Sequence, residues 1–433
     1  NSFKGERFYE TDISSINNTE PLSRTVNNQV QEKRIIRAYG QYQLNWKDII
    51  IPTFSFAHEG TSVLMSRFVN KNPFYSYGSG SLAFNISEIP SFKEKHRKVD
   101  LLKLRTSYST SGQTAGLLPY NIDPTFTSVT TTGGGYAYGF TGNNFDLQPQ
   151  FTKSFEYGLE GSFFKKRLGI NLSIYNNKTT DQIFFPRISY GAGFILKYFN
   201  GGDVQNKGME LQVAGTPVKT KNVTWDLTVN YDHFRNKVIK INAGPGGYYE
   251  SDTWVYGNLR TQTSPGQSIY SLYGTAFARN NTGQILISPT TGLPVTTGAF
   301  SQPFVFVGDR APDFSMGILN SLSYKTFTFS FNIDIRKGGD IFNGTEMALY
   351  RNGLSMKTLD RETPRIVQGV LNDGLQNTAN PTPNNIIVTP YFRNDYYQST
   401  AAGGAGFVEA DFVEKDVNWL RLRDVTLSYK LTG

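Results

Sequence analysis

Phe327-Thr328-Phe329-Ser330-Phe331-Asn332-Ile333-Asp334-Ile335-Arg336 alternates without a break: every odd position is large and apolar, every even one polar or charged. On a helix these hydrophobes scatter around the axis, whereas on a strand they share one face. At roughly 3.3 Å per residue and a tilt of about 45°, such a stretch crosses the roughly 25 Å apolar band of an outer membrane. Tyr324-Lys325-Thr326 before it reads as a very short turn, and a long irregular region follows it. One greasy face, one wet face, a tight turn and a long connection make the unit of a transmembrane β-barrel. A half-buried strand of a soluble sandwich has the same pattern, so the decision rests on repetition.

The pattern does repeat. Ala38, Gly40, Tyr42, Leu44 and Trp46 share one parity, with Tyr39, Gln41, Gln43 and Asn45 on the other. Phe54 and Phe56 share a face, as do Leu82, Phe84 and Ile86, and Leu102 and Leu104 alternate with Lys103 and Arg105. Val223, Trp225, Leu227, Val229 and Tyr231 alternate with Thr224, Asp226, Thr228 and Asn230. With Phe151–Phe163, Leu168–Asp181, Gly208–Gly215, Ser315–Tyr324 and Trp419–Leu431 this predicts about thirteen strands. Short connections at 47–48, 88–98, 164–167, 216–222 and 325–326 alternate with long ones. That puts every long connection on one rim, as in outer-membrane barrels. One helical turn is expected near Thr345–Tyr350. The fold class read from this is all-β, a transmembrane antiparallel β-barrel. No domain boundary interrupts 1–433, and long surface loops are expected near 110–149, 240–311 and 338–417.

Composition agrees. Of 433 residues only 38% are hydrophobic, yet 32 are Phe and 25 Tyr. A barrel reconciles these values, because half of each strand is polar and aromatics gather at the membrane boundaries. No apolar run is long enough for a membrane helix; Ile49-Ile50-Ile51 is stopped by Pro52. There is no cysteine, hence no disulfide, thiol nucleophile or thiolate metal site. His58, His96 and His233 stand apart in sequence and read as solvated or strand-end residues. The net charge of +8 carries one dense basic cluster, Lys93–Lys98, which is broken by Glu94 and reads as an inter-strand turn rather than a nucleic-acid surface. The chain opens on Asn1 without a signal peptide, so the mature N-terminus is expected upstream.

Dinucleotide, P-loop, zincin and nucleophile-elbow motifs are missing, so neither an enzyme nor a cofactor is expected. The pairs Asp360/Glu362 and Asp411/Glu414 fall in loops, where a hydrolytic acid/base role is the weaker reading. Glu409, Asp411, Glu414 and Asp416 offer oxygen ligands of the kind Ca²⁺ takes, though solvated loop charges are the commoner arrangement. Gly208 suggests a positive φ or a bulge at a strand start. Arg421 and Arg423 lie on the opposite parity from Thr426 and Ser428, so a β-bulge is expected near Asp424.

Five segments then carry a resemblance: Leu102–Tyr108, Asn206–Leu211, Val307–Phe314, Gly338–Asn343 and Trp419–Tyr429. In order and spacing they resemble SusC/RagA-type TonB-dependent outer-membrane transporters. The resemblance implies a barrel of about 22 strands closed by a plug, of which this chain is a middle-to-late segment. It implies a SusD-like surface lipoprotein, coupling to the TonB complex through an N-terminal region not in this chain, and oligosaccharide or peptide cargo.

Three aromatic clusters lie off the strand pattern: Tyr136, Tyr138 and Phe140; Tyr248, Tyr249, Trp254 and Tyr256; and Tyr391, Phe392, Tyr396 and Tyr397. Flat rings with polar edges stack on sugars or anchor a partner, and equally hold loops together. The functional expectation is active import across a bacterial outer membrane. A soluble surface β-protein (an adhesin or glycan-binding module) and an ungated porin are the alternatives.

The founding stretch yields the first test. Phe327, Phe329, Phe331, Ile333 and Ile335 should face lipid, where an arginine costs about 2–4 kcal/mol. Phe331→Arg should therefore lower the folded, heat-modifiable fraction in the outer membrane, and Asn332→Arg should spare it. Equal effects would remove the distinction between the faces.

Overall fold

The computed structural model describes residues 2–4, 7, 9, 15–21, 25–27, 31–124, 126–129, 135–139, 141–184, 186, 188, 191, 193–242, 248–249, 259–298, 303–397 and 404–431. Its principal sheet has eleven strands in chain order. They are β1 (Ile35–Gln43), β2 (Ile50–Thr61), β3 (Phe74–Asn85), β4 (Val99–Gln113), β5 (Gln150–Phe163), β6 (Leu168–Phe184), β7 (Phe199–Lys219), β8 (Val223–Ile241), β9 (Phe314–Tyr324), β10 (Phe327–Lys337) and β11 (Trp419–Tyr429). Each pairs antiparallel with its sequence neighbour, so the sheet is a meander. The expected thirteen was too high, because several short strands belong to the long connections instead.

Connections 44–49, 86–98, 164–167, 220–222 and 325–326 join strands at one rim, and 62–73, 114–149, 185–198, 242–313 and 338–418 at the other. The alternation read from the sequence holds at four of the five pairs of connections; the exception is 86–98, which contains the short helix Pro90–Lys95 and is one residue longer than 62–73 on the other rim. The tight turns use left-handed backbone at Lys47, Asp48, Lys165, Lys166 and Lys325. None is glycine, so each costs about 1–2 kcal/mol that the flanking ladder must cover.

Register turns the alternation into two surfaces. One row of paired residues runs Ile50, Phe84, Leu104, Leu159, Leu172, Leu211, Tyr231, Met316, Ile335, Leu420 from β2 to β11. One residue along, the facing row runs Ala83, Arg105, Gly158, Ser173, Glu210, Asp232, Ser315, Arg336, Trp419. Because side chains alternate, these rows lie on opposite faces. The polar face is concave: Arg105 of β4, Asp232 of β8 and Arg423 of β11 line one hollow of about 700 Å³, which a flat sheet could not bring together. The convex face leaves Leu104, Phe155, Tyr157, Ile174, Leu322, Phe327 and Phe329 exposed, a belt that water does not tolerate but lipid does.

Two of the register shifts in the sheet have a clear cause in the sequence. Opposite Asn332 and Ile333 the partners are Asp424 and Leu422, leaving Arg423 as the bulged residue; this is the bulge expected near Asp424. The register of β7 on β8 also shifts between Gly215 and Val218, around Pro217, where a missing N–H needs a break in the ladder. Gly208 is a correction. It lies well inside β7, pairs regularly with Tyr175 and Phe234, and its φ is not positive. The Tyr175 ring covers it, so any Cβ there would collide with that phenol.

Among the described residues, the long connections are folded rather than irregular. Val63, Leu64, Leu117, Ile122 and Leu147 form one core, and Leu272, Val307 and Val413 another. Leu293, Val388 and Tyr396 form a third, and Met347, Phe407 and Phe412 a fourth. The expected helical turn is the helix α1, Gly344–Arg351. Its N-cap Asn343 accepts a hydrogen bond from the Glu346 N–H at 2.9 Å, which satisfies one of the free donors of the first turn.

On the convex face β9 reverses its usual order, with Leu319 inward and Asn320 outward. Trp225 Nε1 donates to Asn320 Oδ1 at 2.8 Å and so covers an amide on the apolar side. Trp225→Phe should destabilise the barrel by about 1–3 kcal/mol, the cost of an unpaired buried polar group. Adding Asn320→Leu should return most of that loss. Urea unfolding in detergent reads the cycle; additive effects would mean the bond contributes nothing.

Candidate functional site

The concave wall has two parts. From Lys103 and Arg105 of β4 across to β11 it is charged, and several of the charges are paired. Arg105 Nη1 donates to Glu160 at 3.0 Å, and its Nη2 donates to Ser173 at 2.5 Å and lies 3.6 Å from Glu156. Gly158 makes this possible: the Arg105 side chain lies where a Cβ would be. Lys103 also reaches Glu160, at 3.4 Å, and Arg423 pairs with Asp334. Glu210 and Asp232 sit directly opposite each other and have no ion pair among the described residues. Between these charges and Glu59 of β2, a stretch of the wall on β2 to β4 is neutral and small, built from Ser55, Ser79, Ser81, Ser107 and Ser109 in paired register. Beside it a hollow of about 400 Å³ is lined by Arg37, Tyr39, Gln41, Tyr77, Ser55, Ser79 and Ser109. Glu59 orders one end, accepting from the Tyr75 and Tyr77 hydroxyls at 2.6 and 2.9 Å and from Arg37. Hydroxyls, amides and phenols of this kind bind uncharged polar solutes by many weak contacts. Sequence reading did not single this wall out, although serine at 107, 109 and 111 was its visible signal.

At the long-connection rim, two of the resembling segments meet. Asp340 Oδ2 accepts from the Asp309 N–H at 2.9 Å and from Lys415 Nζ at 3.0 Å, while Oδ1 accepts from the Asp416 N–H at 3.2 Å. Arg336 donates to the Arg310 carbonyl at 2.7 Å, and Lys337 pairs with Asp416 at 2.7 Å. This knot ties 307–314 and 338–343 to the segment that enters β11. Burial pushes the Asp340 carboxyl up, but the Asp309 N–H, Lys415 and the Asp416 N–H outweigh it and hold it below its ordinary 3.8.

The aromatic candidates divide. Tyr136 and Tyr138 lie on the short strand Gly135–Tyr138, paired with Phe126–Val129, and Tyr248 and Tyr249 pair with Thr263 and Gln262. Their backbone is thus extended and paired, not off-strand as expected; Phe140, Trp254 and Tyr256 lie outside the described residues. Tyr396 is buried with Leu293 and Val388, and the Tyr397 ring lies tilted 6.0 Å from Tyr350. Tyr391 and Phe392 stand out, edge to face at 5.2 Å, and Phe392 is 79% exposed. Leu354, Met356, Leu359 and Ile387 are also exposed in the neighbouring segments, which are joined by the Ile366–Ile387 pair and by Tyr391 N–H donating to the Arg361 carbonyl at 2.9 Å.

The acidic loop residues do not converge. Glu409 is buried and accepts from the Thr275 N–H, Asp411 accepts from the Val408 N–H, Glu414 from Asn343, and Asp416 from Lys337. No metal-binding group of carboxylates and histidines occurs among the described residues. His58 stacks on Phe74 and bonds to Ser76, and His96 lies against Phe92.

A curved antiparallel meander with a polar hollow, an apolar outer belt and one folded rim defines a wall of a transmembrane β-barrel. The chain belongs to the TonB dependent receptor-like β-barrel family, whose profile matches residues 1–334. It is 25% identical over 380 residues to TonB-dependent receptor P3 of Formosa agariphila, covering 83% of this chain and 37% of that protein. It is 22% identical over 420 residues to TonB-dependent receptor SusC of Bacteroides thetaiotaomicron, covering 91% and 38%. The structure of the RagAB peptide transporter matches the fold with a TM-score of 0.70 at 19% identity, covering 97% of this chain and 44% of that one. The chain therefore spans less than half the length of these relatives.

The knot gives a pH test. A carboxyl lowered by folding adds stability that is present above its unfolded value of 3.8 and is lost as pH falls through the lower folded value. Acid should thus expose 338–342 and 415–418 to pepsin before the sheet yields. Asp340→Asn should leave both segments cleavable at neutral pH by a broad-specificity protease. Resistance of the variant would show that the knot holds without the charge.

Proposed function

We propose that this chain is part of the wall and outer rim of a TonB-dependent importer in a bacterial outer membrane, carrying oligosaccharides or peptides. The observation that carries this is the coincidence of a polar concave wall with a folded layer confined to one rim. An ungated pore has no need of four separate hydrophobic cores in its loops. The long connections, 110–149, 240–311 and 338–417, face the cell surface, and the short turns face the periplasm. A SusD-like lipoprotein covers the long rim, and energy comes through TonB from a region outside this chain. The apolar patch Leu354, Met356, Leu359, Ile387, Tyr391 and Phe392 is the anchor for that lid, because exposed rings and aliphatics at a folded rim are what an interface core uses. Of the three aromatic clusters singled out in the sequence, at least two contact the lid or line the cavity beneath it.

Three experiments test this. Protease added to intact cells should cut only within the long connections, and cleavage at Lys165–Arg167 would invert the sidedness. Ala replacing Tyr391 and Phe392 together should release the lipoprotein in pull-downs at unchanged barrel abundance. Ala at Tyr136, Tyr138 and Phe140 should slow uptake. If both multiple variants keep uptake and lid association, the aromatics serve only the loops.

A further inference from the structure

On the convex face, just beyond the apolar belt on the long-connection side, the strands carry a row of cations. Lys153 of β5 pairs directly across from Lys178 of β6, and Lys207 of β7 directly across from Arg235 of β8. Lys237 of β8 lies one pleat further along the same face, opposite Gln205. All five are exposed. Their parity is that of Phe155, Ile174, Met209 and Tyr231, so they point away from the hollow. Rings mark the boundary beneath them: Phe155 lies 5.7 Å from Tyr108 and 5.4 Å from Tyr157, and Tyr231 lies 5.4 Å from Phe314. Like charges directly opposite on neighbouring strands are destabilising, with Cβ atoms about 5 Å apart. Lys178 is offset by Asp203 at 3.4 Å and Arg235 by Asp313 at 2.6 Å. Lys153, Lys207 and Lys237 have no ion pair among the described residues.

We propose that this row is a lipid-headgroup site, in which Lys153, Lys207 and Lys237, with Lys178 and Arg235 between them, bind the phosphates of an anionic glycolipid of the outer leaflet. The apolar rings below place the row at the depth where acyl chains give way to headgroups. Cargo and lid occupy the other face and the rim, so the neighbour of these side chains is lipid. Uncompensated positive charge packed at pleat spacing is complementary to phosphate groups, which accept from several ammonium donors at once. The assignment to the outer leaflet rests on the sidedness proposed above.

The test uses the full-length protein purified from membranes in detergent, with phosphorylated lipid A and its dephosphorylated form as probes and native mass spectrometry as readout. The wild type should retain the phosphorylated lipid and not the other. Lys153→Gln/Lys207→Gln/Lys237→Gln should weaken retention roughly a hundredfold, at about fivefold per cation. The corresponding triple Arg variant should bind as the wild type does, which controls for folding, together with heat-modifiable gel mobility. Equal retention by the Gln variant, equal retention of the two lipids, or displacement by inorganic phosphate at the lipid's own concentration would each overturn the site. If the triple Gln variant does not fold, Lys207→Gln alone should still lose about fivefold, and no loss there overturns it equally. Uptake is measured separately, so failure of the lipid site leaves the import reading standing.

Discussion

The hydrogen-bond register between neighbouring strands is the constraint everything else obeys. A period of two means that one slipped residue moves a strand's charges onto the lipid side and its rings into the hollow, at about 2–4 kcal/mol for each buried Lys or Arg. The row from Ile50 to Leu420 stays apolar across ten strands only because each pairing is in phase with the last. Where the sequence departs from phase, the ladder departs with it, at Arg423 and around Pro217. Where a residue type departs instead, as at Asn320, a partner is provided from the next strand.

A sheet whose two faces meet lipid and water has little core of its own. Its cohesion comes from the ladder and, at one end, from the connections. The buried apolar side chains of the described residues gather mainly in those connections, in four separate clusters. The first cluster reaches the sheet by apolar contact through Tyr75 and Ile183, while near the second the Asp340 knot adds polar bonds. Rim and wall thus answer to different forces: the rim weakens with acid and with loss of packing, the wall with mispairing.

Period-two alternation made the strands, the faces, the loop asymmetry and the β11 bulge legible, because each depends on residues adjacent in sequence. The rim was not legible for the opposite reason. Leu293 meets Val388, and Thr275 meets Glu409, across more than ninety residues of chain, and no local pattern announces such pairs. Aromatic composition pointed to Tyr391 and Tyr396 alike, yet burial separates them: one is exposed and the other enclosed. Gly208 was misread because glycine at a strand position signals either backbone freedom or a ring lying over it, and only Tyr175 decides which. The charge pairs of the wall, such as Arg105 with Glu160, join strands whose mutual register the sequence does not state.

The bulged arginine has a use beyond registering one strand. β11 is entered from the long connection at Trp419, just after that connection is tied at Asp416 and Asn418, and Trp419–Leu422 pairs with β10 in one phase. Asp424–Tyr429 pairs with the same strand one residue out of that phase. Arg423 is where these two phases are reconciled, like the sliding scale of a vernier. A rim segment can therefore gain or lose a residue over evolutionary time, with the mismatch absorbed at a single position and the wall beyond it left undisturbed.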